Sequence, residues 1–146
     1  MPHLNLADLG ETERFAARIA TVVHSGDAIL LSGDLGAGKT AFARAFLREA
    51  SGNPTLDVPS PSFTLVQTYD TRSGPIHHFD LWRLDGPAAL AELGWDGARD
   101  DIVLVEWPDR LGSLTPPDAL HLTFELAEGE ARVVTVEGWS GRLVDP

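Results

Sequence analysis

Between positions 8 and 52 the apolar residues recur twice at helical spacing, with one unbroken apolar run between. Phe15, Ala16, Ile19, Val22 and Val23 fall on one face of a helix. Ahead of them Asp8 and Glu11 form a capping box, the Asp8 carboxylate accepting an early N–H and Glu11 reaching back. Ser25-Gly26-Asp27 ends that helix. Ala28-Ile29-Leu30-Leu31 has no polar interruption, which predicts a short strand buried on both faces of a parallel sheet. After a glycine-rich turn, Phe42, Ala43, Phe46 and Leu47 predict a second helix from about Lys39 to Ala50, with Gly52 just beyond its end.

The second half of the chain reads mainly as strands. Two prolines make Val58 to Ser62 irregular. Phe63 to Tyr69 alternates, Asp70 to Pro75 carries turn residues, and Ile76 to Leu84 returns, which predicts a hairpin. Asp85-Gly86-Pro87 opens a short helix through Leu93, closed by Gly94. Ile102-Val103-Leu104-Val105 is a second doubly buried strand, ending in Glu106-Trp107-Pro108. Leu120, Leu122, Phe124 and Leu126, then Val134 and Val136, alternate about a turn at Gly129 as a late hairpin. Together these elements predict an α/β fold: a single P-loop NTPase-like domain over residues 1–146, with a mixed β-sheet flanked by helices and including β-hairpins.

Composition narrows the function. With 146 residues, 43% hydrophobic and 23% charged, the chain has the make-up of one globular domain with a real core. Its net charge of −11 argues against stable direct binding of nucleic acid, whose phosphates call for clustered Lys and Arg. There is no cysteine, hence no disulfide framework and no thiolate metal site. Asp8, Glu11 and Glu13 fall where the apolar core of a signal peptide would lie, and no apolar run approaches the ~20 residues of a membrane helix, so a cytoplasmic protein without membrane attachment is expected.

Gly33-Asp34-Leu35-Gly36-Ala37-Gly38-Lys39-Thr40 matches G-x-x-x-x-G-K-[ST] in full, between a buried strand and an amphipathic helix. Glycines at these positions let backbone amides converge on phosphates without a Cβ intruding, and the helix N-terminus adds its positive dipole. The expected cradle for ATP or ADP comprises Asp34, Leu35, Gly36, Ala37, Gly38, Lys39, Thr40 and Ala41. Lys39, the only lysine, reaches the β- and γ-phosphates, and the Thr40 hydroxyl coordinates Mg2+. Glu106, ending a buried strand, is the expected second magnesium-side acid. Trp107 either packs beside the nucleotide or closes the core.

Asp80 lies inside an otherwise apolar strand, where a carboxylate is costly unless paired or functional. It is expected to orient or deprotonate the attacking water, or to bond a magnesium-bound water; an ion pair with Arg83 or a solvated edge are the structural alternatives. Ser60 and Ser62 flank Pro61 on a stiff hydroxyl-bearing loop suited to sensing the γ-phosphate, unless it is an ordinary proline turn. His77 and His78, being adjacent, point to opposite faces and suit no shared metal. A guanine-reading Asn-Lys-x-Asp is excluded because Lys39 is already used, which favours adenine.

Four stretches taken together, Gly33–Thr40, Ser60-Pro61-Ser62-Phe63-Thr64-Leu65-Val66, His78-Phe79-Asp80-Leu81-Trp82-Arg83-Leu84 and Leu104-Val105-Glu106-Trp107-Pro108, resemble the bacterial TsaE (also called YjeE) family of P-loop ATPases required for threonylcarbamoyladenosine in tRNA. The resemblance runs from about Asp8 to Asp109. It implies ATP hydrolysis that is slow without partners, those partners being TsaB-like and TsaD-like proteins, the latter transferring threonylcarbamoyl to the adenosine just 3′ of the anticodon. It also implies that Lys39 holds phosphate, that Thr40 and Glu106 hold magnesium, that Asp80 is the hydrolytic or switch acid, and that Leu9 and Thr12 lie where adenine is contacted. Ser62 stands where the family has Thr, and Trp82 where it has Tyr. The competing function is a small-molecule kinase on the same P-loop, but no Arg-rich lid sequence follows it. A non-hydrolysing nucleotide switch would differ only in the role of Asp80.

Overall fold

A computed structural model describes residues 3–34, 36–61, 64–139 and 142. Its strands form one seven-stranded mixed sheet in the order β1-β7-β6-β2-β5-β4-β3. The centre is parallel: β2 (Ala28–Gly33) lies between β6 (Leu120–Leu126) and β5 (Ile102–Glu106), and β4 (Gly74–Asp80) runs parallel to β5. The margins are antiparallel, with β3 (Val66–Thr71) on β4, β7 (Arg132–Glu137) on β6 and β1 (His3–Leu6) on β7.

Alternation along the central strands divides the core into two layers. Ile29, Leu31, Leu104 and Leu122 face α1 (Leu9–Val22) and α2 (Lys39–Ser51), meeting Phe15, Ile19, Phe42 and Phe46. Ala28, Leu30, Val103 and Val105 face the other way, onto Phe79, Leu90, Trp95 and Leu111. That second layer is covered by the 3-10 segments Pro87–Leu93 and Pro108–Leu114 and the single-turn helix α3 (Trp95–Ala98). Both unbroken apolar runs are therefore inner parallel strands buried on both faces.

The helices begin and end where their caps dictate. Asp8 Oδ1 accepts from Glu11 N at 3.0 Å, and Glu11 Oε1 accepts from Ala7 N at 3.2 Å, closing the first turn of α1 from both sides. Gly52, at φ +69°, ends α2 by donating to the last carbonyls.

Several boundaries differ from expectation. β1 has no counterpart in the apolar pattern, being four residues with one buried side chain, Leu6, and it forms by pairing with β7. The hairpin turn tightens to Arg72 and Ser73, because the Thr71 hydroxyl donates to Gly74 O at 2.7 Å and accepts from Ser73 N. Pro75 is tolerated in β4 because the ladder to β5 starts one residue later, at Ile76. β4 stops at Asp80 instead of Leu84: Asp80 Oδ1 accepts from Trp82 N at 3.0 Å, an Asx-type turn that diverts the backbone. The segment Pro87–Leu93 winds as a 3-10 helix. Leu126 is exposed, so the buried alternation of β6 ends at Phe124. Of the predicted Phe63–Tyr69 strand, Phe63 lies outside the described residues, while Thr64 and Leu65 are turn rather than strand: Leu65, at φ +71°, donates its N–H to Pro61 O, and pairing begins at Val66. No helix among the described residues is long and apolar enough to cross a membrane.

Candidate functional site

The carboxyl ends of the parallel strands converge on a cavity of 620 Å³ lined by Gly36, Gly38, Lys39, Thr40, Ala41, Ser60, Asp80, Trp82, Arg83, Glu106, Trp107 and Arg132. This is where ligands collect in open α/β sheets. The turn after β2 builds one wall. A Cβ on Gly33, at φ +134°, would stand 2.5 Å from the Phe124 carbonyl oxygen, so close packing against β6 itself requires glycine there. Gly36 and Gly38 also have positive φ, at +80° and +116°. The N-cap of α2 is Gly38, which has no side chain to cap the helix, and the first residues Lys39 and Thr40 open onto the cavity. Phe42, one turn on, holds the helix start down by packing on Phe15, Phe46 and Phe124, with ring centroids 5.8, 6.1 and 5.7 Å away.

Lys39 is 4% exposed. Its ammonium donates to the Gly33 carbonyl and lies 3.5 Å from the centroid of the Trp107 ring. Desolvation by burial lowers its pKa from 10.5, partly offset by attraction to Glu106, Asp80, Asp34 and Asp109.

Facing it, Asp80 and Glu106 end β4 and β5 at the same register position. Both are buried, at 4% and 3% exposure, which rules out a solvated edge for Asp80. Asp80 Oδ2 lies 3.5 Å from the Ser60 hydroxyl, and Asp80 N donates to Leu65 O at 2.9 Å. The strand is thus tied to the loop after α2. Glu106 Oε2 is 2.8 Å from His78 Nε2. Trp107 takes φ +59° just after β5; its ring lines the cavity, packs on Trp82 with centroids 4.4 Å apart, and rests against the second core layer. Both expected roles of Trp107 are compatible with that placement.

The expected site residues thus divide. Gly36, Gly38, Lys39, Thr40, Ala41, Ser60, Asp80, Glu106 and Trp107 come together. Asp34 and Ala37 line a neighbouring hollow of 420 Å³ against Thr123, Phe124 and Leu126. Neither Leu9, 54% exposed at the start of α1, nor the buried Thr12 lines the larger cavity. Leu35 and Ser62 lie outside the described residues. His77, on the opposite face from His78, bonds Asp101 and Thr68.

Sequence reasoning overlooked Trp82, Arg83 and Arg132 as cavity walls, and His78 as the partner of Glu106. Trp82 and Arg83 were traceable, since they directly follow Asp80. Arg132 carries no local signal: β7 brings it beside Gly38, where a Cβ would lie 3.7 Å from its side chain.

The donor set fits a cation shared with a ligand. Among the described residues no cluster of three or more His, Cys, Asp or Glu side chains could hold an ion alone. One carboxylate plus one hydroxyl, Glu106 and Thr40, is the sparse protein contribution that magnesium takes when phosphates supply the rest of its shell.

Comparison with known proteins agrees with this architecture. The profile of the family described as "Threonylcarbamoyl adenosine biosynthesis protein TsaE" matches residues 6–134. The chain is 35% identical over 127 residues to the tRNA threonylcarbamoyladenosine biosynthesis protein TsaE of Rickettsia felis, covering 86% of this chain and 74% of that one. It is 32% identical over 127 residues to the protein of the same name from Bacillus subtilis, covering 86% and 78%. The crystal structure of Bacillus subtilis YdiB superposes with a TM-score of 0.74 at 27% identity, covering 92% of this chain and 83% of that one.

Proposed function

The chain belongs to the TsaE family of tRNA threonylcarbamoyladenosine biosynthesis proteins, and from that membership we propose that it binds ATP with magnesium in the 620 Å³ cavity and hydrolyses it slowly, in support of a TsaB-like and TsaD-like assembly in the cytoplasm. One observation carries the reading: a glycine-built turn with a buried ammonium faces two buried carboxylates at the ends of adjacent parallel strands.

In this reading the amides of residues 34–41 and the N-terminus of α2 hold the phosphates. Lys39 exchanges the Gly33 carbonyl for β- and γ-phosphate oxygens, while Trp107 keeps its ammonium in the cavity. Thr40 and Glu106 take the magnesium, which neutralises charge on the phosphates when bound. Asp80 orients the attacking water or accepts its proton, and Ser60 and Ser62 couple the loop after α2 to the γ-phosphate. Adenine contacts by Leu9 and Thr12 require the bound nucleotide to extend beyond the cavity toward α1.

Phosphate release measured with and without the two partner proteins tests this reading. It should be slow alone and rise when both are added, and Asp80→Asn should lower it about 100-fold or more while ATP affinity changes only a few-fold. Equal rates with and without partners contradict the assembly reading, and lost ATP binding in Asp80→Asn makes that residue a ligand holder.

A further inference from the structure

We propose that His78 is a positioning residue that aims Glu106 into the cavity, its Nε2–H holding one carboxylate oxygen from beneath so that the rest of the group faces the cation. The inference rests on reading Glu106 as the magnesium-side acid.

His78 and Asp80 are two residues apart on β4 and so point to the same face, and Glu106 sits opposite Asp80 on the neighbouring strand. His78 Nε2 lies 2.8 Å from Glu106 Oε2, and the two side chains are 2% and 4% exposed. The other ring nitrogen, Nδ1, is buried with no hydrogen-bond partner among the described residues. A carboxylate oxygen only accepts, so the Nε2 that meets it carries a proton and the ring donates to Glu106. The histidine spends Nε2 on Glu106 and meets no partner at Nδ1 among the described residues. Two residues from buried Ile76 on its own strand and opposite buried Leu104 on β5, that is a poor arrangement for packing alone. It does lock a carboxylate that would otherwise turn about its terminal torsion. Partners behind a metal ligand commonly change metal affinity 10- to 100-fold.

The test is calorimetric titration of ATP at stepped magnesium concentrations and in EDTA, for wild type, His78→Leu, His78→Gln and Glu106→Gln. His78→Leu should raise the magnesium concentration for half-maximal tightening about 10- to 100-fold, leaving ATP affinity in EDTA within about twofold. His78→Gln, whose amide nitrogen reaches a position near that of Nε2, should recover most of the loss. Unchanged magnesium dependence in His78→Leu overturns the proposal, as does an equal loss of affinity with and without magnesium. If Glu106→Gln loses the magnesium effect while His78→Leu keeps it, only this inference fails; if Glu106→Gln behaves as wild type, the reading of Glu106 fails first. Should His78→Leu not fold, 15N NMR of the wild-type histidines decides. The Nε2 resonance of His78 should be that of a protonated nitrogen and should shift when magnesium joins the ATP-saturated protein. A magnesium-indifferent resonance or an Nε2 without its proton overturns the proposal.

Discussion

At the scale of single residues, the site is held together at a cost in stability. Lys39 is buried, and desolvation outweighs the attraction of Glu106, Asp80, Asp34 and Asp109, so its pKa falls below 10.5. The sign of the consequence follows from proton linkage. Below the folded-state pKa the ammonium is charged in both states and the burial cost is fully present. Between that value and 10.5 the unfolded chain binds more protons, so stability rises with pH and the cost is relieved. Lys39→Met, of similar length and uncharged, should therefore make the nucleotide-free protein more stable at neutral pH, by roughly 0.5–2 kcal/mol, the size usual for relieving a functional site. The gap should narrow as pH approaches 10. Thermal unfolding followed by circular dichroism reads both effects, and a less stable variant at neutral pH would show that the contacts to Gly33 and Trp107 outweigh burial.

At the scale of elements, the glycine-rich turn after β2 is only as firm as the packing behind it. Phe42 is fully buried and joins α2 to Phe15 of α1 and Phe124 of β6. Phe42→Ala should cost about 3–5 kcal/mol of unfolding free energy, seen as a lower denaturation midpoint with little change in slope. A loss under about 1 kcal/mol would mean that this cluster does not anchor the turn. Elements with a strong periodic or unbroken apolar signal were legible in the sequence: α1, α2, β2, β5 and the late hairpin stand where their patterns put them. What escaped depends on partners remote in the chain. β1 exists by pairing with β7, and β4 ends early because one aspartate bonds to the backbone two residues on. The same division runs through the site. The glycine-rich turn is a local motif and could be read directly, whereas His78 meets Glu106 only across adjacent strands, and Arg132 reaches the cavity only through sheet order.

At the scale of the whole molecule, an acidic protein with a net charge of −11 presents a cavity walled by Lys39, Arg83 and Arg132. The surrounding charge opposes a polyanion, so the proposed binding of ATP would have to come from short-range contacts within the cavity: converging amides, one ammonium and a shared cation. The decisive measurement is isothermal titration of the purified chain with ATP and magnesium, beside Lys39→Ala. The wild type should bind saturably and one-to-one, weakened at least ~10-fold by the substitution, as expected for losing a charge-assisted contact of about 1.5–3 kcal/mol. A wild-type chain that is folded yet releases no heat and gains no thermal stability in excess ATP and magnesium would contradict the proposed binding.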